Sequence, residues 1–277
     1  MLNYKIYSQD KKISFKRPII IFLHGFGGNS SIWFKQIKPL KQKYDLICID
    51  LPSHGKNNLK LSNLKNNFQE VTNSILEVLK FLKIEKANFV GCSIGTTFIK
   101  YILLTKSEIV DKFILIGCVG NFRNWFKNGI YIAKSLLNIF PKNICCNLVS
   151  KLLIPNKKYN ESRLLFLECA KKISKKELKS WLKLILKFPK INKDFLKNMK
   201  NFKNGLYIMG KEDNVFLDSI KEEKEYFNNI KILENCGHKN NLHFLYRRKP
   251  IGLPMGGSLI NCNLLFMLYV FLLNNYF

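Results

Sequence analysis

Gly91-Cys92-Ser93-Ile94-Gly95 forms a G-x-S-x-G stretch between the apolar run KANFV and the helix-periodic segment IGTTFIKYILL. A serine on a sharp strand-to-helix turn needs small neighbours, because its backbone is strained and the strand and helix approach closely there. The turn pushes Oγ into the open, and the N–H groups of the following helix point at negative charge developing beside it. The chemistry this suggests is attack by a serine hydroxyl. A bare G-x-S-x-G has many chance matches, so the assignment depends on partners elsewhere in the chain.

A serine hydroxyl is a weak nucleophile and needs a base, which in turn needs an orienting acid. The chain has four histidines. His24 and His54 lie in Gly-containing loops after predicted strands, and His243 lies five residues beyond His238. His238 follows the run NIKILENC, comes after the serine and sits in a loop opened by Gly237, so it is the candidate base. Asp213, in Gly210-Lys211-Glu212-Asp213-Asn214 after the run NGLYIMG, is the candidate acid, with Glu212 as the alternative. Asp213 or Asp218 capping the following helix is the competing, purely structural role. Acyl transfer also needs donors aimed at an oxyanion, and His24-Gly25-Phe26-Gly27-Gly28 can present them after the run RPIIIFL. Phe26 and Ile94 are the expected backbone donors. The same loop lacks both G-x-G-x-x-G spacing and a G-K-[ST] ending, so phosphate cradling is not expected.

Short β-branched runs alternate with helical segments, the pattern of a mostly parallel, doubly wound α/β sheet covered by helices. Strands are predicted over 17–25, 44–52, 86–93, 111–118, 204–210 and 229–236. Residues 68–82 place Val71, Ile75, Leu76, Val78, Leu79 and Leu82 on one helix face. Between about 121 and 200 the alternation stops and only helical segments appear, as for a helical insertion over the sheet. The domain reading is therefore a core of 1–120 and 201–249, a helical cap at 121–200 and an uncharged tail at 250–277. That tail admits three readings: a buried terminal helix, a membrane-touching segment, or an aberrant reading frame. Its longest interrupted apolar run, about 15 residues, falls short of the roughly 20 needed to span a bilayer.

The chain has 277 residues, 46 Lys+Arg against 19 Asp+Glu and a formal charge of +27. Only five of the basic residues are Arg, the side chain on which bidentate phosphate and base recognition leans, so no nucleic-acid partner is expected. Lys171, Lys172, Lys175, Lys176 and Lys179 read as a solvated outer face, with a landing surface for an acidic partner as the functional alternative. With no apolar leader in MLNYKIYSQDKK, the expected location is the cytoplasm. The eight cysteines read as small buried hydrophobes, and no C-x-x-C pair suggests a metal site.

HGFGG at 24–28, DLPSHG at 50–55, GCSIG at 91–95, GKED at 210–213 and CGH at 236–238 together resemble the α/β-hydrolase family in order and spacing, over roughly residues 15–240. The resemblance implies Ser93 as nucleophile, His238 as general base and acid, Asp213 as orienting acid and the Phe26 and Ile94 N–H groups as the oxyanion hole. It makes His54 a loop-structuring residue and the helical insertion a cap that shapes the acyl pocket. It implies no metal or cofactor. Relatives that cleave haloalkanes or epoxides carry Asp at the elbow, so Ser93 favours esters, thioesters or C–C bonds beside a carbonyl. Similarity is greatest to small carboxylesterases of the pimeloyl-ACP methyl ester esterase type, in which a basic cap meets an acidic carrier protein. The expected function is hydrolysis of a carboxylic ester or thioester through acyl-Ser93. The alternatives are a C–C hydrolase, a non-catalytic ligand-binding relative and a binder of anionic surfaces. The departure from the family lies after His238, where KNNLHFLYRRKPIGLPMGG replaces the usual acidic, Pro-containing segment and closing helix.

Overall fold

The computed structural model describes residues 1–9, 12–65, 68–153, 160–199, 202, 204–213, 215–222 and 229–234. Four strand sequences, IIIFL, DLICI, ANFVGC and GLYIMG, are buried at every position. Continuous burial of this kind is what an apolar run meets in a sheet covered on both faces. These runs form β2 (Ile19–Leu23), β3 (Asp45–Ile49), β4 (Ala87–Cys92) and β6 (Gly205–Gly210), joined by β5 (Val110–Ile116) and β7 (Ile230–Leu233). Pairing is parallel throughout these six, and the sheet order is β1-β3-β2-β4-β5-β6-β7.

The strand β1 (Tyr4–Tyr7) has no counterpart among the predicted strands. It is four residues long, half-buried and antiparallel to β3 at the sheet edge. YKIY offers only two alternations of side-chain face, too few for periodicity to register, and its pairing is set by β3 rather than by its own composition.

Successive residues of each strand point to opposite faces, so the sheet divides the core in two. Ile20, Phe22, Leu46, Cys48, Val90 and Ile114 pack with Trp33, Ile37 and Leu40 around helix α1 (Phe34–Leu40). Ile21, Leu23, Ile47, Phe89, Leu115 and Tyr207 pack on the other face. There α2 (Phe68–Phe81) buries Val71, Ile75, Val78 and Leu79, and α3 (Ile94–Lys106) buries Phe98, Ile99 and Ile102. Cys48, Cys92, Cys118, Cys145 and Cys146 are buried thiols outside any disulfide, as their apolar settings predict.

Between β5 and β6 the chain is helical: α4 (Asn124–Ile139), α5 (Lys142–Leu153), α6 (Asn160–Lys171), α7 (Lys175–Ile185) and α8 (Phe188–Lys197). Ser174 caps α7 by accepting from the Glu177 N–H at 3.2 Å, and Pro189 lies in the first turn of α8. Helix α8 packs along α3. The buried Lys100 of α3 donates to Val119 O and Asn192 Oδ1 and lies over the Phe195 ring, binding α8 to the loop after β5. A short α9 (Leu217–Glu222) follows β6.

Candidate active site

Six parallel strands run the same way, so the loops after β2, β3, β4 and β6 all leave from one edge of the sheet. Ser93 follows β4 and stands as the N-cap of α3, with φ +50° and ψ −119°. A positive φ strains any residue with a Cβ. The surroundings hold it there: Ser93 N–H donates to Ile116 O at 2.9 Å, and Ser93 O accepts from Thr96 N–H at 2.8 Å and Thr96 Oγ1 at 2.6 Å. The flanking glycines are required by close approach. A Cβ on Gly95 would lie 2.4 Å from Leu23 O, and one on Gly91 would lie 2.8 Å from Gly95 C. Gly95 thus lets the first turn of α3 approach the end of β2, where a Cβ would also meet His24 O at 3.0 Å. First-turn amides have no acceptor within their own helix.

That loop is held by two imidazoles. His24 Nε2 accepts from Leu51 N–H at 2.9 Å, so its proton is on Nδ1, which donates to Gly25 O at 2.8 Å. His54 Nε2 accepts from Gly27 N–H at 3.0 Å, and its Nδ1 donates to Pro52 O at 2.9 Å. Each bond fixes both the tautomer and the neutral state. Burial lowers both pKa values; for His54, with His24 alongside adding to the effect, the value falls to about 3. Both rings therefore act as neutral struts, and the loop-structuring role expected of His54 is what its contacts display. Asp50, 1% exposed, adds a third anchor: its carboxylate accepts from Ser30 N–H at 2.6 Å and Asn3 Nδ2 at 2.7 Å.

Helix α7 packs on the same loops. Trp181 is fully buried, donates Nε1–H to Pro52 O at 3.2 Å, and packs against His54 and Phe26 with ring centroids 5.1 and 6.0 Å away. Glu177 accepts from Ser53 Oγ and from Ser62 N–H at 3.2 Å. Burial pushes the Glu177 carboxyl up, but the hydrogen bonds from Ser53, Ser62 and Leu61 outweigh it and hold it below the usual carboxylate range. Ser53 itself has φ +65°, a conformation glycine adopts without strain, yet its hydroxyl bridges Glu177 and Leu61 N–H.

Asp213 lies three residues past β6 and is 1% exposed. Its Oδ1 accepts from Val215 N–H at 3.2 Å and Phe216 N–H at 3.1 Å, so the capping role weighed for it is present in the structure. Asp218 lies within α9 and pairs with Arg123 at the surface, and Glu212 is only half-buried. Of the three carboxylates, Asp213 is thus the one held inside the protein at a strand end. His238 and His243 lie outside the described residues, as does the tail 250–277. Lys171, Lys172, Lys175 and Lys176 are exposed, and Lys142 and Lys175 donate to main-chain oxygens at neighbouring helix ends. Among the described residues no group of three His, Cys, Asp or Glu gathers as metal ligands.

Sequence reasoning had no signal for Glu177 or Trp181. Both stand at ordinary helix positions, and their partners lie more than a hundred residues away.

Comparison with known proteins agrees with this geometry. The family described as alpha/beta hydrolase fold matches residues 18–144. The "3-oxoadipate enol-lactonase 2" of Acinetobacter baylyi is 31% identical over 127 residues, 45% of each chain. The "Pimeloyl-[acyl-carrier protein] methyl ester esterase" of Pseudoalteromonas atlantica is 28% identical over 134 residues, 47% of this chain and 48% of the relative. The chain thus spans less than half the length of the curated relatives it matches. A solved structure from a study of carboxylesterases of Nitrososphaera gargenis superposes with a TM-score of 0.73 at 18% identity, covering 98% of this chain and 94% of that one. Sheet order, the strained serine turn after β4 and these matches lead to one conclusion: the chain has the α/β-hydrolase fold.

Proposed function

We propose that the protein is a serine hydrolase that cleaves a carboxylic ester or thioester. The observation that carries this reading is the strained Ser93 at the head of α3, with Gly95 pressed against Leu23 O and His24 O at the start of the Phe26 loop. In the proposed reaction Ser93 Oγ attacks the carbonyl carbon while His238 takes the hydroxyl proton. The carbonyl oxygen becomes an oxyanion facing the Phe26 and Ile94 N–H groups. Collapse of the tetrahedral intermediate breaks the bond to the leaving alkoxide or thiolate, which receives the proton from His238. A water molecule then gives its proton to His238 and attacks the acyl-Ser93 carbonyl, releasing the acid and restoring the serine. Asp213 orients the imidazole and balances its positive charge. His238 follows β7 in the chain and Asp213 follows β6, neighbouring strands of the sheet, which supports assigning them as a pair.

The relatives named for ester and lactone cleavage support the same substrate class. An acidic carrier protein delivering the acyl group to the lysine-bearing cap belongs to this proposal, as does a cytoplasmic setting. The test is hydrolysis of short and medium p-nitrophenyl esters, with circular dichroism to establish folding. Turnover abolished in Ser93→Ala supports the reading, because loss of a triad nucleophile removes several powers of ten in rate. Retained turnover in the variant places the nucleophile elsewhere. A folded wild-type chain that releases no product, yet cleaves a diketone at a C–C bond, moves the reading to that reaction.

A further inference from the structure

Helix α4 carries apolar residues beyond its buried face. Phe126, Ile130, Ala133 and Leu137 are buried against the protein. Roughly 130° round the helix from them, Trp125, Ile132 and Ile139 recur every seven residues, two helical turns apart, and are 42%, 59% and 77% exposed. The stripe runs about 21 Å along the helix. It continues through Phe140 at the end of α4 into α5, where Ile144 and Leu148 are 47% and 43% exposed. Helices α4 and α5 pack against each other. A helix facing water ordinarily carries polar residues outward, and contiguous apolar exposure on this scale marks an interaction site.

Along α4 and α5 themselves the charge has one sign. No acidic residue occurs between Asp111 and Glu161, whereas α4 and α5 contribute Lys127, Lys134, Lys142 and Lys151. Lys175 of α7 joins them, donating Nζ–H to Phe140 O at 3.3 Å, beside the stripe. Lys142 and Lys175 turn their ammonium groups to helix-end oxygens, while Lys127 and Lys151 are exposed, and a lysine stem can lie along apolar surface with its ammonium in water.

We propose that the outer face of α4 and α5 docks on an anionic lipid bilayer, lying in the plane of the interface. Tryptophan and bulky aliphatic side chains enter the headgroup boundary while flanking lysines meet lipid phosphates. A bilayer fits better than an acidic protein because the apolar groups protrude from helix backs in a long stripe, bordered rather than interrupted by lysines. No helix among the described residues is long and apolar enough to cross a membrane, and adsorption requires none. The inference is independent of the esterase reading.

The protein carries its own reporter. Of its three tryptophans, Trp33 and Trp181 are fully buried and Trp125 is exposed. The full chain is mixed with vesicles of phosphatidylcholine alone or of equimolar phosphatidylcholine and phosphatidylglycerol, sedimented, and followed by tryptophan emission. The expected result is co-sedimentation with the anionic vesicles, weakening as salt rises, with emission shifted to the blue and quenched by brominated acyl chains. The Ile132→Ser/Ile139→Ser double variant, with an unchanged circular dichroism spectrum and melting midpoint, should bind roughly a hundredfold more weakly. No sedimentation with anionic vesicles, including the case in which an acidic protein binds instead, overturns the proposal. Sedimentation with unmoved Trp125 emission and no effect of the double variant also overturns it, assigning the attraction to lysine charge or to residues 250–277. No readout uses ester cleavage, so failure of this inference and failure of the proposed activity are distinguishable.

Discussion

Acidification below about pH 6.5 should destabilise this protein through His54, by an amount the structure determines. Nε2 of His54 accepts the Gly27 N–H, and Nδ1 already holds a proton donated to Pro52 O. Protonating Nε2 would set one N–H against another in a site where the side chain is 3% exposed. Its pKa falls accordingly from 6.5 to about 3. In the unfolded chain His54 titrates near 6.5, so between that value and about 3 the unfolded state binds a proton that the folded state does not. Stability is therefore full above about pH 6.5 and falls as pH drops toward the folded value. At about pH 5 the loss is roughly 1.5 units at 1.36 kcal/mol each, about 2 kcal/mol. For a chain of this size that lowers the melting midpoint by about 4–8 °C. His24, also neutral and shifted in the same direction, adds to the slope. The assay is urea denaturation at a series of pH values, compared with His54→Gln. The variant should be less stable near neutrality, since buried partners lose ideal geometry, but its stability should fall less steeply below about pH 6.5, by close to 1.4 kcal/mol per pH unit. Parallel pH slopes for the two proteins would refute the neutral-strut reasoning.

The turn after β4 and the contact between α7 and the loop after β3 yield further expectations. Gly95→Ala places a Cβ 2.4 Å from Leu23 O, backbone against side chain with no flexible atom to yield, and should cost about 3 kcal/mol by chemical denaturation. Glu177→Ala leaves Ser53 Oγ and Ser62 N–H without their carboxylate and should cost about 2 kcal/mol, with faster proteolysis within α7 as the local signature. Ser53→Gly removes the same bridge but relieves φ +65°, worth about 1 kcal/mol, so it should destabilise less than Glu177→Ala in the same denaturation assay.

The serine turn is legible in sequence because its requirements are local. A strained residue between strand and helix demands small neighbours within two positions, and those neighbours are written as Gly91 and Gly95. The buried strands are legible for a similar reason: a parallel strand covered on both faces is an unbroken apolar run. Strand β1 is not, since an edge strand of four half-buried residues owes its conformation to the partner that pairs with it. Asp213 shows a limit of another kind. Loop position makes it a candidate acid, and the structure shows it capping its own turn through Oδ1, alternatives that a sequence position does not separate.

By itself the sequence determined the α/β alternation, the place of the serine turn and the order of the candidate serine, acid and histidine, because each depends on residues within a few positions of one another. Tertiary structure alone decided that His24 and His54 are neutral struts, that Glu177 and Trp181 bind α7 to the loops beneath it, and that α4 turns an apolar stripe to the outside. Hydrogen-bond partners and burial belong to contacts between distant segments, and a linear pattern carries no information about which face of a helix the rest of the chain leaves uncovered.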